Sequence, residues 1–213
     1  ASTILRGDPS AQIDSLGTAS VLYAEIPTTQ AAPPTLMAHS VPVRGGAGLA
    51  LIGVVALAEA LSASAPPDQI RAYLQAHPLP GQPGLPQPLT PGQPDAPPIR
   101  AVLEAAAMTT RAMLDALPRG PLHATGGWSR SEGLLQLRAS VLDRTILASE
   151  EAELALVGAA LMAAEAAGAA VDFRPRSRAI APLPAWRDAY AAAWPAFRDR
   201  LQSARIHGGG DGL

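Results

Sequence analysis

Short strand-like runs and longer helical ones alternate along the chain, with a proline-rich stretch between two blocks. In the first block, Gln12–Leu16 and Ser20–Ile26 are short runs with β-branched and aromatic residues. The Gly17-Thr18 link between them predicts a hairpin. Thr35–Val43 reads as a third strand ending at Arg44-Gly45-Gly46. Beyond it Leu49, Ile52, Val55 (or Ala56) and Glu59 recur at helical spacing, which predicts a helix over Ala47–Ser62. Nine prolines then fall within the 22 residues His77–Pro98. Proline lacks a donor and is excluded from helix interiors, so this is a loop or extended strap laid on the surface.

The second block has the clearer rhythm. Ile99–Leu117 is an alanine-rich helix stopped by Pro118 and Gly120, followed by a strand at Leu122–Thr125 and a turn at Gly126-Gly127. A helix over Ser131–Leu142, a strand at Thr145–Leu147 and a helix over Glu151–Ala167 ending at Gly168 come next. Ser149 is placed to cap that last helix, with Glu150, Glu151 and Glu153 in its first turn. Such alternation is the mark of an α/β fold. A final helix, Pro184–Ala204, carries Trp186, Tyr190, Trp194 and Phe197 along one face, a packing surface rather than a ligand cage. Ile206–Leu213 is a glycine-rich tail expected to fray.

Composition narrows the chemistry. The 213 residues are 48% hydrophobic, enough for a sizeable core, and only 16% charged, with a formal net charge of −2. Nucleic acid and anionic membranes call for a basic surface, so neither is expected as the main partner. There is no cysteine, which removes disulfides and thiol chemistry, and all 16 basic residues are arginine. Without lysine there is no Walker A loop, Schiff base or lysine general base. The uncharged runs Gly45–Ala58 and Leu154–Ala164 are too short to span a bilayer. The N-terminus does not have the form of a signal peptide and lacks an initiator Met, as a chain beginning inside a longer gene product would. Nothing demands export, and a cytoplasmic location is expected.

Candidate chemistry lies at glycine turns. His39, His77, His123 and His207 are scattered without metal-site spacing, and Gly127-Trp128-Ser129-Arg130-Ser131 lacks the second glycine of a nucleophile elbow. Leu16-Gly17-Thr18-Ala19-Ser20 is a tight turn whose backbone N–H groups and threonine hydroxyl can hold phosphate oxygens without lysine. It can equally be an ordinary hairpin. Thr125-Gly126-Gly127-Trp128-Ser129-Arg130-Ser131 sets two glycines between a strand and a helix start, where a ligand can lie against bare backbone.

The order of these pieces carries a resemblance. Ala124-Thr125-Gly126-Gly127-Trp128-Ser129-Arg130-Ser131, then Leu134–Ala139, then Glu153 and Val157-Gly158-Ala159-Ala160-Leu161-Met162-Ala163, resemble the C-terminal domain of the FGGY carbohydrate kinases. Asp14-Ser15-Leu16-Gly17-Thr18-Ala19 is similar to that family's Gly-Thr-Ser phosphate turn, with Ala19 for serine. Ser140 stands where an aspartate is frequent, and Leu49 where some members carry a polar residue. The resemblance implies an α/β fold of the actin-like, ribonuclease H type: an ATPase lobe with a mixed sheet, flanking helices and the Pro-rich insert at 77–98. It implies ATP and Mg²⁺ as cofactors. Gly17 and Thr18 would contact the phosphates, Gly126 and Gly127 would lie against adenosine, and Ser131 would sit near the adenine. Gly46 (or Gly45) would flank the nucleotide, and Gly158 reads as a packing position.

The same resemblance implies a sugar or polyol substrate held by an N-terminal lobe, which also carries the catalytic aspartate in a Gly-x-x-Asp motif upstream of the phosphate turn. Only sixteen residues precede Gly17, and Gly7-Asp8 is too close to the turn and followed by Pro9. Residues 1–205 are thus expected to be the nucleotide-binding lobe of a sugar kinase, without its sugar-binding partner lobe and inactive alone. The alternative is a non-catalytic actin-like module that pairs with a partner chain, and homodimerisation stays open. A Gly-x-Ser hydrolase is a distant third.

Overall fold

The computed structural model describes residues 2–5, 7–27, 40–42, 47–89, 97–117, 119–151 and 153–208. A seven-stranded mixed sheet runs through it in the order β3-β4-β2-β1-β5-β6-β7. Its strands are β1 (Gln12–Leu16), β2 (Ser20–Pro27), β3 (Ser40–Pro42), β4 (Ala47–Val55), β5 (Leu122–Thr125), β6 (Ile146–Ser149) and β7 (Ser177–Ile180). The predicted hairpin is present, with Leu16 opposite Ser20 and Gln12 opposite Ala24. β1 then runs parallel to β5, and β5 parallel to β6, as the α/β alternation requires. β4 and β7 are antiparallel to β2 and β6.

Helices cover both faces. They are α1 (Ser2–Leu5), α2 (Leu57–Ser64), α3 (Pro67–Gln75), α4 (Ile99–Leu114), α5 (Glu132–Leu142), α6 (Leu154–Ala166) and α7 (Pro184–Gly208). Side chains alternate across the strands with period two. Leu22 and Ala24 of β2 join Leu122, Ala124, Ile146 and Ala148 in the main core, built with Val102, Leu103, Met108, Leu134 and Leu137 of α4 and α5. Ile13 and Tyr23 point to the opposite face and meet Ile4, Leu5 and Leu154. On α7, Tyr190 and Phe197 are fully buried and Trp186 and Trp194 pack beside the main core, which bears out the packing face.

Several expected boundaries change. Ala47–Ser62 is not a helix: residues 47–55 form β4, and only Leu57–Ser64 is helical. An unbroken apolar run does not discriminate between the two periods, and the helical spacing there was coincidental. Gly48 and Gly53 disfavour a helix, while Ile52, Val54 and Val55 suit a strand. Of the expected strand Thr35–Val43, residues 40–42 are β3, and 35–39 and 43 lie outside the described residues. Ser149 does not cap α6. It ends β6, its hydroxyl accepts the Glu151 N–H at 3.2 Å, and α6 begins three residues after Glu151. The proline strap carries neither helix nor strand over 76–89, as expected of a loop, yet it is anchored inward as well, with Leu79 only 2% exposed. α3 and β7 fall in stretches where no element was expected.

Candidate functional site

The two glycine turns meet. β1 and β5 are parallel neighbours with Ser15 opposite Thr125, so the residues that follow each strand emerge side by side. Gly126 turns the chain at φ +92°, a conformation that L side chains rarely adopt. A Cβ there would stand 2.4 Å from the Leu16 carbonyl oxygen, so the second turn lies flat on the end of β1. In the first turn the Gly17 N–H donates to the Ala19 carbonyl at 3.0 Å, and the Thr18 carbonyl accepts the Ala58 N–H at 2.9 Å, tying the turn to the start of α2. Thr18 is exposed, and its hydroxyl has no partner among the described residues.

Beside these turns opens a cleft of about 670 Å³. One wall is α2 and α3 with Leu61, Ile70, Arg71, Leu74 and Gln75; the other is Gly127, Trp128, Arg130, Ser131 and Glu132. A Cβ on Gly127 would meet nothing within 4 Å, so bare backbone faces open space at this point. The short 3₁₀ turn Gly127–Arg130 carries the chain from there to Ser131. Ser131 caps α5: its hydroxyl accepts the Leu134 N–H at 3.2 Å and donates to the Leu74 carbonyl of α3 at 2.5 Å. It thereby fastens the two walls together. Arg71 and Arg130 are exposed at the cleft and have no ion-pair partner among the described residues, whereas Glu132 lies 3.6 Å from both His77 Nε2 and Arg178 Nη1. Backbone donors and two unpaired guanidinium groups beside an apolar slot can hold an anion that carries a flat apolar group.

Of the residues singled out in the sequence, Gly17, Thr18 and Gly126 come together at the strand ends, and Gly127 and Ser131 line the cleft. Gly46 lies outside the described residues. The α3 wall with Arg71 was not foreseen, although Pro66-Pro67-Asp68 is a legible helix start with proline at the first helical position. Buried beneath the site is an equally unforeseen ion pair. Arg138 Nε donates to Asp14 Oδ2 at 2.8 Å, with Ser20 Oγ on Asp14 Oδ1 at 3.1 Å and Thr110 Oγ1 accepting from Arg138 Nη2 at 2.9 Å. Asp14 is therefore structural, both its oxygens being engaged. Arg138 Nη1 has no hydrogen-bond partner among the described residues.

The residues present fit a nucleotide: Gly127 offers open backbone, and the Thr18 hydroxyl and the Arg71 and Arg130 guanidinium groups have no partner among the described residues. Mg²⁺ does not find ligands in the same way. Among the described residues no three His, Asp or Glu side chains gather as a metal site, and both Asp14 oxygens are taken.

Residues 67–167 match the FGGY family of carbohydrate kinases, C-terminal domain. The fold agrees over nearly the whole chain. A xyloylose kinase from Brucella ovis superposes with a TM-score of 0.72 at 25% identity, over 96% of this chain and 49% of that one. A gluconate kinase from Lactobacillus acidophilus gives 0.68 at 16% identity, over 92% and 48%. A xylulose kinase from Rhodospirillum rubrum gives 0.64 at 22% identity, over 93% and 47%. A comparison with curated proteins finds no match. The fold is thus a mixed sheet with flanking helices that matches the ribonuclease H-like lobe of these kinase structures. The chain is similar to the FGGY carbohydrate kinases through the match at residues 67–167, which covers just under half of it. The chain spans about half the length of the solved structures it matches. No helix among the described residues is long and apolar enough to cross a membrane.

Proposed function

We propose that this chain is the ATP-binding lobe of a cytoplasmic carbohydrate kinase, which transfers the γ-phosphoryl group to a hydroxyl of a sugar or polyol. One observation carries the reading: two glycine turns are pressed together at the ends of parallel strands, and a cleft opens where Gly127 presents bare backbone. Adenosine lies in the cleft against Gly127, beside Trp128 and the Ser131 end of α5. The phosphates run toward Thr18, whose hydroxyl donates to them, with Arg71 or Arg130 offsetting their charge. Gly126 shapes the floor. Phosphoryl transfer depends mainly on positioning and charge stabilisation, and these groups supply both without lysine.

The acceptor hydroxyl must lose its proton to a base as its oxygen attacks phosphorus and ADP leaves. We assign that base, with the sugar site, to a second lobe corresponding to the half of the matched kinases that this chain does not span. The α6 face is where such a lobe packs: Leu156 and Met162 are 66% and 56% exposed on an almost wholly apolar helix. The same face supports the alternative, a non-catalytic module that pairs with a partner chain. Sugar-dependent ATP turnover by the two lobes together, tested over pentoses, deoxyhexoses and polyols, supports the kinase reading. Tight association through α6 with no ATP binding supports the alternative.

A further inference from the structure

The α3 wall of the cleft is lightly buried, with Tyr73 and Leu74 partly packed against the core and the Leu74 carbonyl bonded by Ser131. Ile70 is its only buried residue, although five of its nine residues line the cleft. Besides the Ser131 bond to the Leu74 carbonyl, its C-terminal end is tied by Tyr73 to the proline strap that follows, and polar contacts from α4 hold that strap. Tyr73 Oη donates to the Pro80 carbonyl at 2.6 Å. Arg100 Nη1, on α4, donates to the carbonyls of Leu79 and Pro80 at 3.3 and 3.0 Å. Glu104 Oε1 accepts the Gly84 N–H at 3.3 Å.

Arg100 and Glu104 are themselves held. They lie one turn apart with Nε and Oε1 at 2.8 Å; Tyr190 of α7 donates to Glu104 at 2.6 Å and accepts from Arg100 Nη2 at 3.0 Å. The Trp186 ring stacks on the guanidinium at 4.6 Å. All three of Arg100, Glu104 and Tyr190 are buried. A buried ion pair gives little net stability over apolar packing, so stability alone does not account for it. A proline strap has few donors and many carbonyls without partners, and a fixed cation that reaches out of α4 is what satisfies them.

We propose that Arg100, Glu104 and Tyr190 form a clasp whose role is to position the strap, and through Tyr73 the α3 wall, at the width the nucleotide requires. They are positioning residues, and the proposal rests on the nucleotide reading of the cleft. The test compares wild type, Tyr73→Phe and Arg100→Met for ADP affinity by calorimetry, for melting temperature, and for amide hydrogen exchange over residues 67–76. Tyr73→Phe removes one hydrogen bond at the protein surface and leaves the core alone. It is expected to weaken ADP binding about 2–10-fold, the equivalent of one hydrogen bond. The melting temperature stays near wild type, and exchange over α3 speeds up. Arg100→Met gives a larger loss of affinity in the same direction. Wild-type affinity and α3 exchange in Tyr73→Phe would overturn the clasp while leaving the nucleotide reading intact. Absence of ADP binding by the wild type would overturn both.

Discussion

Leu16 ends β1 with its carbonyl oxygen 2.4 Å from where a Cβ on Gly126 would stand, so the first glycine turn is built on the backbone that closes the second. Substitution at Gly126 therefore meets rigid backbone and, at φ +92°, an unfavourable conformation as well. Gly126→Ala is expected to destabilise the fold by about 2–4 kcal/mol, read as a loss of melting temperature in calorimetry. Gly127→Ala, next in sequence but facing open space, should leave the melting temperature within a degree or two of wild type.

Asp14 and Arg138 are both fully buried, and removing either one leaves a charge without its counterpart. Asp14→Ala or Arg138→Met alone should cost about 3–5 kcal/mol in denaturant unfolding. The double replacement should cost clearly less than the two single losses added together, since no unpaired charge is left behind.

His123 on β5 is half-buried, and burial lowers its pKa below the usual value of 6.5, with Asp8 acting weakly in the other direction. The unfolded chain then binds a proton more readily than the folded one. Stability is full above pH 6.5 and falls as the pH drops from there toward the folded pKa, since the unfolded state is the more protonated between the two values. His123→Gln should flatten the melting temperature between about pH 7 and pH 5 relative to wild type; an unchanged slope would contradict this.

Gly133, in the first turn of α5, brings that helix against the start of the strap: a Cβ would lie 2.3 Å from the Ala76 carbonyl oxygen and 2.9 Å from a Leu79 methyl. Gly133→Ala should cost about 1–3 kcal/mol, despite alanine's better helix propensity. Thermal unfolding of the variant decides between the two effects.

The second block was largely legible because its helices and strands differ in length and are separated by glycine or proline. The tight pair of turns was legible too, since Gly17-Thr18 and Gly126-Gly127 each follow a strand. β4 was not: in Ala47–Val55 every residue is apolar or glycine, so no polar face shows which period applies, and its identity comes from pairing with β2. β7, four residues with only Ile180 buried, has almost no hydrophobic signal of its own. Arg138 looks like a surface position of α5 in the sequence. Its neighbours Leu134, Leu135, Leu137, Ala139 and Val141 are all buried, and that density of apolar residues is the one hint that an arginine there must be buried as well. Ser131 lines the cleft, and its hydroxyl is engaged by Leu74 and Leu134, a duty that spacing does not reveal.

The central claim is that the cleft beside Gly127 holds an adenine nucleotide. Calorimetric titration of the chain with ATP, for wild type and Gly127→Val, tests it most directly. Binding by the wild type, weakened at least ~10-fold in Gly127→Val at an unchanged melting temperature, is the predicted result, since the added side chain occupies the space assigned to adenosine. Equal ATP affinity in the two proteins, or none in the wild type, would contradict it.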